Sequence, residues 1–211
     1  MKRTYMWLFS SLIALSGCAA TQADHDIYLG RQAFFIGNYE AAQSYFNNAA
    51  QVDPNYVYGT DYRQGVWSYV GRAEYITGNL QEAQRDLERA IAADHNDDIA
   101  RLYLGLTLIR KADRQQGLKE IESGMRGIHE WLDHVNFHHG LSWGQFWDPG
   151  SEIRSAIKDN LAMISGKELD LKRLISNAEW LGKRMEEESD LAHKQESEDL
   201  SRDSDGKGET H

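Results

Sequence analysis

The stretch from Trp67 to His95 reads WSYVGRAEYITGNLQEAQRDLERAIAADH and predicts two helices joined by a short turn. Gly78 interrupts the pattern near its middle, and glycine readily takes the left-handed conformation that ends a helix. After the turn, Ala83, Leu87 and Ala90 recur at helical spacing, so one face of the second helix is apolar. This stretch is therefore expected to form a helix–turn–helix unit.

Two further stretches align with this unit without gaps. They are DIYLGRQAFFIGNYEAAQSYFNNAAQVDP from Asp26 to Pro54 and RLYLGLTLIRKADRQQGLKEIESGMRGIH from Arg101 to His129. The aligned glycines Gly30, Gly71 and Gly105 are 41 and then 34 residues apart, and each lets the second helix of its unit approach closely. A 34-residue period resembles that of the tetratricopeptide repeat family. The resemblance implies an all-α solenoid, with the seven extra residues of the first interval in a loop.

The segment that follows the repeats predicts a cap of two helices. Apolar residues share one helical face from Ser151 to Ile164, and a second such helix runs from Leu171 to about Gln195. Three repeats are close to the minimum for a stable stack, so this hairpin is expected to cover the last one. From Met185 to His211 there are ten acidic residues against three basic ones and no aromatic residue, and the end of this segment predicts a disordered acidic tail.

The N-terminus resembles a secretory signal. Lys2 and Arg3 precede an apolar run from Tyr5 to Leu15, which is shorter than the roughly 20 residues that a membrane-spanning helix needs. The string LSGC that ends at Cys18 resembles the lipobox of bacterial lipoproteins, which implies cleavage before Cys18 and attachment of acyl chains such as palmitate. By the same resemblance, Ala19 favours the outer over the inner membrane. The alternative is a plain signal peptide in which Cys18 is incidental.

Composition excludes several classes of function. The net charge of −10 becomes −12 once Lys2 and Arg3 leave with the signal, and an acidic chain binds nucleic acid poorly. Cys18 is the sole cysteine, so neither an intrachain disulfide nor a cysteine-based metal site can form. The expected regions are a signal peptide (1–17), an anchor linker (18–22), repeats within 23–130 (23–56, 64–97 and 98–130), an aromatic and histidine-rich loop (131–150), capping helices (151–195) and the disordered tail (196–211).

The repeat alignment also predicts a partner-binding surface. The resemblance implies that the first helices line a concave groove, where tyrosine rings give contact area at low entropic cost and arginine pairs with carboxylates. The expected partner-binding residues are Tyr28, Arg31, Tyr69, Arg72, Tyr75 and Tyr103. Two alternatives remain open. Some of the tyrosines pack between helices, or the acidic tail or the C-terminal hairpin fills the groove itself.

The segment from Trp131 to Trp147 is rich in aromatic residues and histidine. His134 and His138 are four residues apart, which on a helix places two imidazoles on one face, as metal sites require. His129-Glu130 begins like an HExxH zinc motif, but Asp133 stands where the second histidine belongs. Three interpretations stay open: a packed element that seals the end of the solenoid, a metal site, and a ligand or membrane-surface contact through tryptophan.

These patterns predict a binding protein and not an enzyme, since the sequence contains no GxSxG nucleophile motif and no phosphate-binding glycine loop. The resemblance implies a lipid-anchored, periplasm-facing scaffold or adaptor in bacterial cell-envelope assembly, more often at the outer than the inner membrane. It would capture a segment of a partner protein in its groove. No cofactor, metal, small-molecule substrate or nucleic acid is expected. The alternative function is a metal-dependent hydrolase built on residues 129–147.

Overall fold

A computed structural model describes residues 5–59 and 61–206 as an all-helical protein. The short strands β1 (Val57–Tyr58) and β2 (Gln64–Gly65) and a 3-10 turn (Trp143–Phe146) accompany the helices. Within these residues, no helix is long and apolar enough to cross a membrane. The helices are α1 (Tyr5–Phe35), α2 (Tyr39–Val52), α3 (Val66–Thr77), α4 (Leu80–Ala93), α5 (Asp98–Arg110), α6 (Arg114–His139), α7 (Glu152–Ser165) and α8 (Leu171–Gly206).

The first six helices form three hairpins, α1/α2, α3/α4 and α5/α6, which pack in chain order. The role predicted for the first-helix glycines is confirmed. A Cβ atom on Gly71 would lie 2.5 Å from the Leu87 side chain, and one on Gly105 would lie 2.6 Å from the backbone nitrogen of Ile121. Gly30 meets the Phe46 ring in the same way. Glycine at these positions therefore sets how closely the two helices of each hairpin approach.

The turns of the three hairpins share one backbone geometry. Gly37 and Gly78 have φ angles of 79° and 88°, as their glycines predict, and Ala112 takes a φ of 69° at the third turn. Asn38 and Asp113 then cap the next helices, since each side chain accepts a hydrogen bond from a backbone N–H three residues on. The third turn thus has the geometry of the other two without glycine.

The extra residues of the first interval form a small β-hairpin instead of an open loop. β1 pairs antiparallel with β2, and the backbone N–H of Val66 donates to the Tyr56 carbonyl. Tyr62, in the connection between the strands, packs edge to face on Trp131 with ring centroids 4.7 Å apart. The insertion is therefore part of the core at this end of the stack.

The prediction of a loop over 131–150 is wrong for residues 131–139, which belong to helix α6. Ile128, Leu132 and Val135 continue the buried face of α6 at helical spacing, so the helix ends only before Gly140. The chain then turns back, and Trp147 is fully buried against Trp131, with ring centroids 4.6 Å apart. Trp131 and Trp147 thus pack at the end of the stack, as the first of the three interpretations holds, whereas Phe137 of the same segment is exposed.

Both chain ends contain more helix than the sequence predicts. α1 begins at Tyr5 and runs through the predicted signal peptide and linker into the first hairpin. α8 continues through 196–206, where disorder was expected. The predicted capping hairpin is present as α7 and α8, and α8 packs on α5, on α7 and on the 3-10 turn. The Cys18 side chain and residues 1–4 and 207–211 lie outside the described part.

Replacing Gly105 with alanine is expected to destabilise the α5/α6 hairpin. The new Cβ would meet two backbone atoms at 2.6 Å, the Gly117 carbonyl oxygen and the Ile121 nitrogen, which cannot rotate away. Overpacking of this kind costs about 1–3 kcal/mol of unfolding free energy, measurable by chemical denaturation. The control is Gly150→Ala, where a Cβ meets nothing within 4 Å. Equal effects of the two changes would contradict the close approach.

Candidate functional site

The predicted partner-binding residues lie mostly on one side of α1, α3 and α5, which we call the inner face. Arg31 and Arg72 are only 3% and 2% exposed, and Tyr69 and Tyr103 are also buried. Tyr28 differs, because it is 50% exposed on α1. The structure therefore brings five of the six predicted residues together, and the sixth, Tyr28, faces solvent.

Helix α8 covers the inner face. The Arg31 Nε–H donates to Oε1 of Glu186, and the Arg72 Nη1–H donates to Oε2 of the same carboxylate at 2.7 Å. A second guanidinium nitrogen of Arg31 donates to Asp190 Oδ1 at 2.6 Å, one turn further along α8. Both alternatives left open by the sequence are therefore seen in part: α8 of the C-terminal hairpin covers these residues, and Tyr69 packs between helices on Phe46.

The three buried charges stabilise one another. Burial is the largest effect and would lower the pKa of both guanidinium groups, but Glu186 and the neighbouring tyrosines, with Asp190 for Arg31, together outweigh it and raise the pKa of Arg31 and Arg72. Burial would likewise raise the pKa of Glu186, yet the two arginines lower it below the ordinary 4.5. Glu186 therefore stabilises the fold above pH 4.5, and this contribution is lost as the pH falls through its lowered folded-state pKa.

Aromatic rings and one glycine complete the seat of α8. The Arg72 guanidinium lies 5.3 Å from the ring centres of both Phe34 and Tyr103, within cation–π range. A Cβ on Gly182 would come within 2.5 Å of the Tyr103 ring, so this glycine lets α8 approach α5 closely. Among the residues of α8 whose side chains the structure describes, the buried apolar ones are Leu174, Ala178, Leu181, Met185 and Ala192.

One part of the inner face stays open, at the end where the hairpin turns lie. This opening, the aromatic cleft, has a volume of about 390 Å³ and is lined by Phe34, Tyr39, Tyr75, Ile76, Tyr103, Arg110, Ser176, Glu179, Trp180 and Lys183. Two predicted partner-binding residues, Tyr75 and Tyr103, belong to it, and α8 supplies one of its walls. A cleft of this size accommodates a few side chains.

Hydrogen bonds hold the walls of the aromatic cleft in place. The Tyr75 hydroxyl donates to Glu179 Oε1 at 2.6 Å, which ties α3 to α8. Arg110 donates to the Tyr75 carbonyl at 2.7 Å and lies 4.8 Å from the centre of its ring. Arg110 and Lys183 place two positive charges at the cleft and Glu179 places one negative charge there. The cleft therefore suits an apolar or aromatic group that adjoins a carboxylate.

The histidine-rich segment places His134 and His138 together, with ring centroids 4.4 Å apart. His139 stacks instead on Trp143, and His129 Nδ1 lies 3.2 Å from an oxygen of Asp133. Over 5–59 and 61–206, no three His, Cys, Asp or Glu residues are grouped closely enough to hold a metal ion. The two imidazoles thus share a face as predicted, without a third ligand from the described residues.

Sequence reasoning missed Glu186, Asp190, Gly182 and Trp180 as parts of this site. A signal was available, since Glu186 and Asp190 are four residues apart on an acidic helix and Arg31 and Arg72 occupy equivalent repeat positions. No family model matches the chain, and no curated protein or solved structure matches it either. The case for the site therefore depends on its residues and their geometry.

Removing the Glu186 carboxylate is expected to lower the free energy of unfolding strongly. Glu186→Ala leaves two buried guanidinium groups without their shared partner, and breaking such a buried pair costs about 3–5 kcal/mol of unfolding free energy. Glu187→Ala is the matched control, because Glu187 is half exposed and lies 3.6 Å from Lys183 and from Arg184. That change is expected to cost less than about 1 kcal/mol. Chemical denaturation measures both, and similar losses would contradict a central role for Glu186.

Proposed function

We propose that this chain is a tetratricopeptide-repeat lipoprotein of the bacterial cell envelope, and that it acts as a protein-binding scaffold and not as a catalyst. The lipobox-like LSGC string and the 34-residue interval between Gly71 and Gly105 support this proposal. Three packed helical hairpins with small residues at their contacts are the arrangement that such repeats adopt. The lipid on Cys18 would hold the scaffold at the periplasmic side of a membrane, favouring the outer one.

The aromatic cleft is the observation that carries the binding function. Because α8 occupies most of the inner face, a partner that binds the closed form contacts the part that α8 leaves open. Its recognition segment would insert an aromatic or branched aliphatic side chain between Tyr75, Tyr103 and Trp180. A carboxylate next to that side chain would pair with Arg110 or Lys183. Arg31 and Arg72 then act indirectly, since they hold the α8 wall through Glu186.

Filling of the inner face by α8 also explains how a short stack is stable. A repeat array needs a cover for exposed apolar faces, and α8 buries Leu181 and Met185 there. The same helix contributes Glu179, Trp180 and Lys183 to the cleft. One element therefore closes the core and shapes the binding site.

Cys18→Ala tests the anchoring. Three acyl chains exceed what stable membrane attachment needs, so loss of the acceptor thiol is expected to move the protein from the membrane fraction to the soluble periplasmic fraction. Cell fractionation with detection of the protein measures this. Persistent membrane association of the Cys18→Ala protein would contradict the lipoprotein assignment.

The aromatic cleft is tested by crosslinking in native membranes, followed by identification of the captured proteins. Trp180 and Tyr39 each line the cleft and are 36% exposed, so replacing both with alanine should leave the fold intact. Truncating aromatic anchors of an interface costs about 2 kcal/mol or more, so recovery of the specific partner is expected to fall by more than about tenfold.

Tyr28→Ala is the matched control for this experiment, because Tyr28 is a half-exposed aromatic residue of the inner helices outside the cleft. Its replacement should leave the captured set unchanged. Loss of the partner in Tyr28→Ala with retention in the cleft variant would contradict the cleft as the binding site.

A further inference from the structure

Two large apolar side chains stand exposed where α6 ends. Phe137 is 84% exposed and Leu141 is 103% exposed, with Trp143 half-buried beside them. We call Phe137 and Leu141 the apolar tip. Among the residues whose side-chain exposure the structure describes, Ile36, at 80%, is the only other large apolar side chain exposed to a comparable extent. Adjacent exposed apolar residues at a projecting point often mark a contact surface.

The register of α5 against α6 shows which end of the stack the apolar tip occupies. A Cβ on Gly124 would touch the backbone at Leu102, and one on Gly127 would touch Asp98, the first residue of α5. Residues of α6 after Gly127 therefore pass beyond the start of α5. At about 1.5 Å per residue, Phe137 lies roughly 15 Å beyond Gly127 along the helix.

The segment that leads to Cys18 leaves from the same end. The Tyr56 hydroxyl donates to Asp24 Oδ1 at 2.6 Å, and the Tyr56 carbonyl accepts from the N–H of Val66, where α3 starts. The Ser68 hydroxyl donates in turn to Asp97, the N-cap of α5. Asp24 thus lies at the end of the stack where α3 and α5 start. Cys18 precedes it by six helical residues, about 9 Å further out.

We propose that the apolar tip is a second membrane contact, in which Phe137 and Leu141 enter the interfacial region of the bilayer that holds the lipid on Cys18. This proposal rests on the anchoring proposed above. The tip and Cys18 both lie beyond the starts of α3 and α5, about 15 Å and about 9 Å further along their own helices, at the same end of the stack. Interfacial apolar side chains enter a bilayer to a depth of roughly 5–10 Å. The lipid on Cys18 and the apolar tip can therefore contact the same bilayer surface.

The charge of the apolar tip specifies the kind of lipid surface. The sequence has no Lys or Arg from Gly127 to Ile153 but has Glu130, Asp133, Asp148 and Glu152. Attraction to anionic lipids depends on basic residues, so the contact is apolar and suits a zwitterionic surface. With two points of attachment, the aromatic cleft, which lies at the hairpin-turn end, faces away from the membrane.

A single fluorescent label tests the apolar tip in the lipidated full-length protein. Because lipidation consumes the thiol of the sole cysteine, Ser142→Cys supplies a unique thiol for an environment-sensitive nitrobenzoxadiazole label. On phosphatidylcholine vesicles, the label is expected to shift its emission to the blue and to be quenched by nitroxide-bearing lipids. Ile36→Cys, at the hairpin-turn end, is the matched control and should keep water-like emission. Adding Phe137→Ser and Leu141→Ser to the Ser142→Cys protein should abolish the shift without releasing the protein from vesicles.

The possible failures are distinguishable. Water-like emission at position 142 in a protein that floats with the vesicles would overturn the tip contact and leave the anchoring intact. Persistence of the blue shift in the Phe137→Ser, Leu141→Ser protein would also overturn it. A blue shift already present in a vesicle-free Cys18→Ala, Ser142→Cys protein would indicate self-association instead. A wild-type protein that does not float would overturn the anchoring and the tip contact together.

Discussion

The carboxylate of Glu186 lies between the guanidinium groups of Arg31 and Arg72, and the positions of α1, α3 and α8 depend on it. Glu186 follows Arg31 by 155 positions in the chain and Arg72 by 114 positions, so one carboxylate fixes contacts between distant segments. Charges buried to this extent are tolerated only when they are paired and hydrogen-bonded. The same pairing holds the α8 wall of the aromatic cleft, and the binding site proposed here exists only while α8 stays seated.

The ion pairs also give α8 a unique register. A slip of one residue rotates a helix by about 100°. Such a slip would remove Glu186 from between the arginines and would place a side chain where Gly182 now lets α8 approach Tyr103. Apolar burial by Leu181 and Met185 holds the helix on the inner face, but apolar contacts tolerate more positions than a shared carboxylate does. The charged residues select one position among those that burial would allow.

Much of the hairpin architecture follows from local sequence, because a glycine such as Gly71 at a helix contact and Gly78 at a turn act through their immediate neighbours. The extension of α6 could also have been predicted from the sequence, since Leu132 and Val135 continue its apolar face, but nearby glycines suggested a loop. The surface on which α8 packs was not predictable in this way. Helical periodicity shows which face of a helix is buried, and it does not show which surface buries it. Only pairing the charge of Glu186 with Arg31 and Arg72 connects the two.

Helix α1 runs unbroken from Tyr5 to Phe35, and it therefore contains both the anchor segment and Arg31. The five residues from Ala19 to Ala23 would span about 18 Å as an extended tether, but as helix they rise only about 7.5 Å. If Cys18 carries the lipid proposed above, this helix makes the connection to the membrane stiff instead of flexible. A stiff connection would hold the protein in a shallow layer above the lipid and would raise the frequency of encounters with partners at that height. In the proposed anchored form, a tilt of the segment around Cys18 would tilt the whole of α1, which holds α8 through Arg31, and would couple the orientation of the cleft to the bilayer plane.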